Sequence, residues 1–547
     1  MSKDFVQEKP IGNNGSEISI KTIYRPEDIK DTAYDKDIGD GGEYPFTRGL
    51  HAQGYRNYSW VQRNVCGFDL PEDTNERIKY LMKVGQRGYE GQYAANIAFD
   101  LPSQIGIDCD HLMSKYEVGK CGVTCANLQD MRLLFDGLPL ANTNAGLVVH
   151  GGAPVTLAMY IANAEEQGVS RSKLIGQVPN NPFCFIGGTY MTFPPEMHLR
   201  MMVDTIKFCH EYMPRWNAIN LGGYVTSETG ANAVQEIAFP ISIGINLIKE
   251  ALKLNLNIDQ IAPKISNFLG LKSDFFENIA KIRAARRIWA KLMREWFGAK
   301  KDKTCHLRLL VWTSGNSMTV QEPLNNIARV AIEALSGVLG GAQAVHTVGY
   351  DETYRLPTED AVRIAMKTQK ILEHESGVCN VVDPLGGSYY MESLTNDIET
   401  ACWEYINKIE EMGGFIKAFE KGYLQKEVAN SAYQYQREID SKERIIVGVN
   451  DYVEEEATTE PFPYNPKTEK HAIERIEKWK KERDKNKLYE SLARVKEAAS
   501  DDNSELIPYF IETVKAGATL GEVMDTLKEV FGSYQTTNVL AAPAPEC

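Results

Sequence analysis

Short apolar runs alternate with longer segments of helical periodicity along most of the chain. Three of the longer segments, residues 196–212, 231–252 and 273–295, repeat apolar side chains at the spacing of one helix face. Continuous apolar strands separated by helices are typical of a parallel sheet that is covered by helices. The seven apolar runs that predict strands are residues 95–99, 146–150, 183–186, 218–221, 265–269, 307–312 and 344–348.

The number of strand–helix pairs favours a closed barrel over an open sheet. Seven pairs are countable, and an eighth fits the remaining length. We therefore expect an α/β fold with a (β/α)8 TIM barrel at residues 43–395. The polar, turn-rich residues 1–42 predict an N-terminal arm, and residues 396–547 predict a helical extension. Small or polar residues such as Gly222 and Thr313 follow several runs, at the strand ends where a barrel carries its chemistry.

The predicted extension changes character along its length. Residues 471–499 are highly charged and predict one long helix, whose polar surface is either a solvated face or a docking site for a partner. The other predicted segments are helices at 396–436, an acidic linker at 454–464, a helix pair at 504–515 and 520–531, and a frayed tail at 541–547.

Composition argues against several classes of protein. The 547 residues carry a net charge of −14, so nucleic acid is not an expected partner. No apolar run reaches about 18 residues, which argues against a membrane-spanning helix. The polar residues 1–8 lack the apolar core of a signal peptide, and ten cysteines without a CxxC pair indicate reduced thiols. We therefore expect a cytoplasmic protein.

Short motifs do not identify the chemistry. The nine histidines never stand in HxxxH or HxH spacing, and the compact group Cys109, Asp110 and His111 does not predict a metal site. P-loop, dinucleotide-binding and Ser-hydrolase motifs are also missing from the sequence. His150 and His346 end apolar runs, where a buried structural role is the simpler interpretation. Residue by residue, the sequence leaves the reaction unidentified.

Longer blocks in a constant order go further. They include Glu-Tyr-Pro-Phe-Thr-Arg-Gly at 43–49 and Asp-Pro-Leu-Gly-Gly-Ser at 383–388. The other blocks are residues 213–217, 222–224, 282–286, 289–292, 313–315, 325–326, 340–343, 350–352, 375–377 and 448–450. Together they resemble the large subunit of the coenzyme B12-dependent acyl-CoA mutases, which include methylmalonyl-CoA, isobutyryl-CoA and 2-hydroxyisobutyryl-CoA mutases. The resemblance covers roughly residues 20–535.

The resemblance implies a cofactor and a partner as well as a fold. In this family, CoA threads along the axis of an eight-stranded parallel barrel, and the acyl group meets an adenosyl radical at the barrel's end. Cobalamin binds a separate flavodoxin-like domain with an Asp-x-His-x-x-Gly motif, in which none of the nine histidines stands here. The resemblance therefore implies an adenosylcobalamin-dependent isomerase whose cobalt ligand comes from a small cobalamin-binding subunit. It also implies a heterotetramer of two large and two small subunits.

Several positions keep residue types that suit the family's roles. Lys264 stands where the family has an Arg, and it keeps the positive charge. The roles that the resemblance implies are CoA binding for Arg63, Lys264 and Ser266, catalysis and substrate contact for Tyr224 and Gln343, and contact with the adenosyl ribose for Glu352.

The acyl pocket departs from the family pattern. The family's Tyr, carboxylate-binding Arg, thioester-binding His, second His and Gln are here Val65, Gly188, Val225, Leu310 and Trp312, and an Asp of the hydroxyacyl members is Ala98. A buried carboxylate without the Arg would lack a partner, so methylmalonyl-CoA is not the expected substrate. Because Gly188 and Val65 should open volume, we expect an apolar acyl-CoA with a branched, alkyl or aryl group. The missing thioester His leaves an alternative, an inactive mutase-like subunit that serves as a CoA-binding or assembly scaffold.

Overall fold

The computed structural model describes residues 14–454, 460 and 462–535. The predicted frayed tail at 541–547 and part of the predicted linker at 454–464 lie outside these residues. Within them the strands are β1 Val61–Arg63, β2 Val65–Cys66, β3 Tyr93–Ala98, β4 Thr143–Val148, β5 Ile175–Gln177, β6 Trp216–Asn217, β7 Ile219–Asn220, β8 Ile265–Leu271, β9 Leu309–Thr313 and β10 Ala344–His346.

Helices follow the strands and then form the C-terminal part alone. Those of the barrel are α1 Pro71–Lys83, α2 Leu101–Ile105, α3 Leu128–Leu134, α4 Ala153–Glu166, α5 Pro195–Tyr212, α6 Gly223–Glu228, α7 Ala233–Lys253, α8 Ile258–Ile261, α9 Phe275–Lys291, α10 Asn325–Leu339 and α11 Glu359–His374. Those that follow are α12 Tyr389–Glu411, α13 Phe415–Glu420, α14 Tyr423–Asp440, α15 Thr468–Glu482, α16 Lys485–Ser500, α17 Ile507–Lys515 and α18 Leu520–Phe531. Among the described helices, none is both long enough and apolar enough to cross a bilayer.

The strands form a ring. One sheet has the order β1-β10-β9-β8-β7 and the other β2-β3-β4-β5-β6, and their strand pairs are parallel. Only Asn64 separates β1 from β2, and only Ala218 separates β6 from β7. Each of these pairs is one interrupted strand that joins the two sheets, so eight strand segments close a barrel with helices outside. The predicted α/β TIM-barrel fold is confirmed.

One predicted strand is wrong. Phe183, Cys184 and Ile186 are buried, but the run contains the end of a short 3-10 turn, Pro182–Cys184, and the strand of this unit is β5. Its centre, Gly176, has a φ of +154°, and a Cβ there would lie 2.0 Å from the carbonyl oxygen of Ala145. A glycine-centred strand of three residues carries too weak an apolar pattern to be recognised.

Side chains alternate between the barrel's interior and its helical coat. Outward residues such as Ile97, Leu147 and Val311 join the main hydrophobic core beneath the helices. Many of the residues that face the barrel interior, in contrast, are polar. The inward-facing or lining strand residues include Val61, Arg63, Asn144, Gln177, Asn217, Asn220, Ser266, Phe268, Leu310, Trp312 and Ala344.

The C-terminal helices pack on the barrel and do not form a separate body. Helix α12 lies against α7 and α9, and α17 and α18 lie against α4. The proposed boundary at residue 395 therefore falls inside α12. The single helix predicted at 471–499 is wrong, since α15 and α16 are separated where Asp484 caps α16 by accepting from the N–H groups of Asn486 and Lys487.

Candidate active site along the barrel axis

Two cavities share three lining residues along the barrel. The outer cavity, of about 780 Å³, opens where the strands begin, beside Pro263 and Trp60. The inner cavity, of about 310 Å³, lies between the strands. Tyr89, Arg308 and Gln343 line both. A ligand with a long arm could therefore pass from the outer cavity into the barrel.

Basic side chains line the outer cavity. Arg48, Lys303, His306 and Arg308 are among its lining residues. Burial lowers the pKa of Arg308 to about 10, which leaves the guanidinium protonated at neutral pH. Its Nη2 donates to the carbonyl oxygen of Pro263 at the mouth. This end of the barrel has the charge that a phosphorylated group requires.

The inner cavity is lined by amide side chains around a buried arginine. Arg63 donates from Nη2 to Asn144 Oδ1 over 3.4 Å, and burial lowers its pKa to about 10. Its Nε and Nη1 find no hydrogen-bond partner among the described residues, and neither do Asn267 Nδ2 and Gln92 Oε1. Buried polar groups of this kind require partners, so the inner cavity suits a ligand that carries its own donors and acceptors.

Gln343 lines both cavities, and Ser266 lines the inner cavity. The Gln343 side chain accepts from the Leu309 N–H over 2.9 Å and donates to the Gly341 carbonyl over 2.8 Å. Ser266 Oγ donates to the carbonyl oxygen of Ile219 over 3.3 Å. These bonds hold both side chains at fixed positions in the wall.

Lys264 lies apart from the cavities. Its Nζ donates to the carbonyl oxygens of Met213, Pro214 and Trp216 over 2.8, 3.1 and 3.4 Å. Burial lowers the pKa of Lys264 to about 8. All three ammonium hydrogens are used by backbone carbonyls at the start of β6 and in the turn before it, so a direct CoA contact, as implied by the family, would require the side chain to move.

An aromatic cluster fills the barrel near the carboxyl ends of the strands. Tyr224 stacks on Trp312 with ring centroids 4.6 Å apart and an interplanar angle of 8°. The ring centroids of His346 and Trp312 are 4.0 Å apart, and those of Phe268 and Tyr224 are 5.4 Å apart. Val225 and Leu310 pack in the same cluster as Phe268. The predicted residues Tyr224, Val225, Leu310 and Trp312 therefore lie together.

Small aliphatic side chains complete this end of the barrel. Val65 follows Arg63 on the same face and donates its N–H to His346 Nδ1 over 3.0 Å. Ala98 and Val148 are neighbours in the β3–β4 register. Both remain half-buried although their strands are central to the fold. The interior thus changes from amides and arginine to aliphatic and aromatic carbon along the axis.

Carboxyl groups surround the loop after β9. Glu228 accepts from Ser314 Oγ and from the N–H of Asn316. A Cβ at Gly315 would lie 3.4 Å from Glu228 Oε2 and 3.8 Å from Glu352 Cγ. Burial, with the nearby charges of Asp351 and Glu228, raises the pKa of Glu352 to about 8. Glu352 is therefore mainly neutral at pH 7 and able to donate a hydrogen bond.

Gly188 belongs to a different neighbourhood from the aromatic cluster. It lies in the loop between β5 and α5, with a φ of +78°. A Cβ built on Gly188 would lie 3.2 Å from the Tyr534 side chain. The main-chain N–H of Tyr534 donates to the carbonyl oxygen of Thr192. Gly188 lines neither the outer nor the inner cavity of the barrel.

Sequence reasoning missed several lining residues. Tyr89, Arg308, Asn144, Gln177 and Asn220 were not among the candidates, yet all five line the inner cavity. The available signal was a polar side chain at alternate positions of an otherwise apolar strand, as at Asn144 and Gln177. Tyr89 and Arg308 lie just before strands, where no alternation marks them.

The chain is similar to known acyl-CoA mutases over most of its length. It matches the profile of the methylmalonyl-CoA mutase family over residues 13–533. It is 38% identical over 523 residues to the 2-hydroxyisobutanoyl-CoA mutase large subunit of Aquincola tertiaricarbonis, covering 95% of this chain and 92% of that relative. It is 37% identical over 521 residues to the methylmalonyl-CoA mutase of Rhizobium meliloti (strain 1021), covering 94% and 72%. Identity to the mitochondrial enzyme of Homo sapiens is 37% over 546 residues, covering 99% and 71%.

Proposed function

The chain belongs to the methylmalonyl-CoA mutase family, and we propose that it is the acyl-CoA-binding large subunit of an adenosylcobalamin-dependent carbon-skeleton mutase. The relatives are acyl-CoA mutases, which are intramolecular transferases of the isomerase class. The observation that carries the proposal is the change of chemistry along the barrel axis. Basic side chains at the mouth, amides in the middle and hydrocarbon at the far end match, in order, the phosphates, the pantetheine amides and the acyl group of an acyl-CoA.

The chain's own residues bind and orient this substrate. Arg308 and Lys303 at the mouth suit the nucleotide phosphates. The unpartnered donors of Arg63 and Asn267 suit the carbonyl groups of the pantetheine arm. A ligand held at both places has its thioester delivered to the carboxyl end of the barrel, and the closed wall excludes water there.

The far compartment favours an apolar acyl group. Val65, Val225 and Leu310 offer no donor to a carboxylate or a hydroxyl group. A buried charge left without a partner is strongly destabilised, which argues against methylmalonyl-CoA. An acyl group of branched, alkyl or aryl type would bury its carbon against these walls.

The residues at the carboxyl ends fit an adenosyl group. The Glu352 side chain makes no hydrogen bond to the described residues, and its raised pKa of about 8 leaves it able to donate to a ribose hydroxyl. Tyr224 lies beside the same loop, where burial raises its pKa well above the usual value and keeps it neutral. Adenosylcobalamin, when bound, supplies the adenosyl radical by homolysis of its cobalt–carbon bond. Glu352 would hold the ribose, while Tyr224 and Trp312 keep polar groups away from the reacting carbon.

A separate small subunit is proposed to supply the cobalt ligand. None of the nine histidines stands in the Asp-x-His-x-x-Gly motif. One relative, which the chain covers over 92% of its length, is named a large subunit. A heterotetramer of two large and two small subunits follows the family. The nine cysteines in the described residues are free thiols, which supports a reducing compartment such as the cytoplasm.

Two measurements on the full-length chain test the proposal. Calorimetric titration with CoA alone should show binding, and incubation with a small cobalamin-binding subunit, adenosylcobalamin and a panel of acyl-CoAs should yield an isomeric acyl-CoA by mass spectrometry. Tyr224→Ala should lose the isomerisation and retain CoA binding, whereas Tyr433→Phe, on the exposed surface of α14, should change neither. CoA binding without isomerisation of any panel member would instead support the alternative, a CoA-binding scaffold. Failure to bind CoA would overturn both.

A further inference from the structure

The main chain of Gly270 lies at a gap in the barrel wall. On one side, β8 pairs with β9 over residues 267–271, and Gly270 is opposite Trp312. On the other side, β7 pairs with β8 at residues 265–266 alone within the described part of the chain. The carbonyl of Leu271 points to the β9 side, where it accepts a main-chain hydrogen bond. Since neighbouring residues of a strand alternate in direction, the N–H and carbonyl of Gly270 point to the side where β7 has already ended.

A buried ion pair takes the place of the missing strand. Glu236, on α7, accepts from the Gly270 N–H through Oε1 over 2.5 Å. Lys281, on α9, donates from Nζ to the Gly270 carbonyl over 2.5 Å and to Glu236 Oε2 over 2.8 Å. The side chains of Lys281 and Glu236 are 2% and 1% exposed. One carboxylate and one ammonium group therefore supply the acceptor and the donor that a buried peptide group requires.

Tyr224 lies directly on this glycine. A Cβ at Gly270 would be 3.5 Å from both Tyr224 Cδ2 and Glu236 Oε1. Helix α6, which carries Tyr224, contacts β8, and a Cβ at Gly223 would be 2.8 Å from the carbonyl oxygen of Glu236. The Tyr224 ring also stacks on Trp312, the register partner of Gly270. The ring therefore contacts both members of the Gly270–Trp312 pair, beside the gap that the ion pair fills.

We infer that Glu236 and Lys281 are positioning residues for Tyr224. By holding the main chain of Gly270, they fix the surface on which the ring lies. Without them, the N–H and carbonyl of Gly270 would be buried without partners, so the strand end would shift and Tyr224 would lose its stacked position. The role in catalysis rests on the proposed function, but the position of the ring can be measured without cofactor or substrate.

Fluorine NMR of the full-length chain labelled with 5-fluorotryptophan measures that position. The chain has seven tryptophans, and the Trp312 resonance is the one that Trp312→Phe removes. Tyr224→Ala abolishes the stacking and gives the reference displacement of this resonance. Glu236→Gln keeps the shape of the side chain but turns an amide N–H group towards Lys281, and Lys281→Met removes the ammonium group. We expect both variants to move the Trp312 resonance most of the way to its position in Tyr224→Ala.

A double variant and a matched lysine variant complete the design. Glu236→Gln combined with Lys281→Met leaves no buried charge at Gly270, and the Gln amide oxygen can still accept from the Gly270 N–H. Its Trp312 resonance should therefore lie nearer to wild type than that of Lys281→Met. Lys291→Met is the control, because Lys291 ends the same helix and pairs with Glu399. It should leave the Trp312 resonance unchanged.

Turnover tests the consequence for the reaction. With an acyl-CoA that wild type isomerises, Glu236→Gln should lower kcat by up to about a hundredfold, which is the scale of a small misplacement at a reacting group. The affinity for CoA alone should remain at the wild-type value, because the CoA arm is bound in the two cavities. Cooperative thermal unfolding of each variant shows that it is folded, and Glu236→Gln decides the outcome if Lys281→Met does not fold.

The outcomes separate the inference from the proposed function. If the Trp312 resonance of a folded Glu236→Gln or Lys281→Met variant stays at its wild-type position, or if Lys291→Met moves it as far, the positioning assignment is overturned and the proposed function stands. A displaced resonance with unchanged kcat would overturn the role in catalysis. If wild type isomerises no acyl-CoA, the proposed function is overturned, while the resonance still decides whether the pair positions Tyr224.

Discussion

Tyr534 lies directly against Gly188, so that a Cβ built on the glycine would be 3.2 Å from both Cε1 and the hydroxyl oxygen of the tyrosine. The residue reaches this position from the segment after α18, where its N–H donates to the Thr192 carbonyl over 3.0 Å. The volume that Gly188 was expected to open is therefore filled from the C-terminal side of the chain. An arginine side chain at this position could not leave the backbone in this direction without displacing Tyr534.

Gly188→Arg should destabilise the fold. The glycine has a φ of +78°, and a left-handed backbone together with overpacking costs an L side chain about 2–4 kcal/mol. We expect a lower midpoint of thermal unfolding and only secondary effects on acyl-CoA affinity. Gly187→Ala is the control, since Gly187 is exposed and has no left-handed φ. Adding Tyr534→Ala to Gly188→Arg should recover part of the loss, and an unchanged midpoint in the single variant would contradict the packing argument.

The barrel could be predicted from sequence because its signal is repeated. Six of the seven apolar runs coincide with strands, for example residues 265–269 with β8 and 307–312 with β9. The interrupted strand β1–β2 was not among the runs, since Gln62, Arg63 and Asn64 break its apolar pattern. A polar strand that faces a ligand cavity looks like a loop when only hydrophobicity is read.

Tertiary contacts decided which predicted site residues meet. Trp312 and Tyr224 are distant in sequence, and their common position follows once the barrel closes. Lys264 differs because its ammonium binds carbonyls of the Met213–Trp216 turn, some 50 residues earlier, and no spacing rule predicts such a contact. Gly188 differs because Tyr534 arrives from beyond the barrel, so its environment depends on the whole chain.

Asp204 should make stability depend on pH. Its carboxyl accepts from the N–H groups of Leu506 and Ile507 at the start of α17, and burial raises its pKa to about 7. A carboxyl whose pKa is higher folded than unfolded contributes stability below its unfolded pKa, near 4, and that stability is lost as pH rises through about 7. Wild type should therefore unfold more easily as pH increases across this window.

Asp204→Asn isolates that contribution. The amide oxygen can still accept from the helix N-terminus but cannot ionise, so the fall in unfolding midpoint between about pH 4 and 7 should become shallower. Asp502→Asn is the control, because the Asp502 side chain is 91% exposed. Asp100, whose pKa burial raises to about 6, contributes with the same sign in both proteins. Identical pH curves for wild type and Asp204→Asn would refute the assignment.

Arg283→Met should destabilise the barrel and weaken CoA binding together. Arg283 lies on α9, and its side chain is fully buried against α12. The guanidinium pairs with Asp383 and, over 2.6 Å, with Glu392 Oε1. Removing it leaves Glu392 buried without its ion-pair partner and Asp383 paired, among the described residues, only with Arg48, at a cost of about 3–5 kcal/mol. Asp383 also lines the outer cavity. The variant should therefore bind CoA more weakly than wild type in a calorimetric titration.

An exposed ion pair provides the comparison for Arg283. Arg363 pairs with Asp360 on the surface of α11, where screening by water leaves such pairs with little effect on stability. Arg363→Met should therefore leave the unfolding midpoint and the CoA affinity as in wild type. Equal effects of the two variants would mean that loss of charge, and not burial, accounts for the change.

Arg308→Met should lower the affinity of the chain for all CoA compounds by the same factor. Arg308 lines both cavities at the mouth and remains protonated at neutral pH, with a pKa of about 10. Loss of a hydrogen bond to a charged group lowers affinity by about tenfold or more. Because Arg308 contacts the CoA end of the ligand, the dissociation constants for CoA and for an acyl-CoA should rise by the same factor. The ratio of the two constants should therefore stay at the wild-type value. The control is Arg56→Met, because Arg56 is exposed near the mouth but does not line the outer cavity. This variant should change neither dissociation constant. If Arg308→Met changed only the affinity for the acyl-CoA, the ligand would enter the barrel from the opposite end.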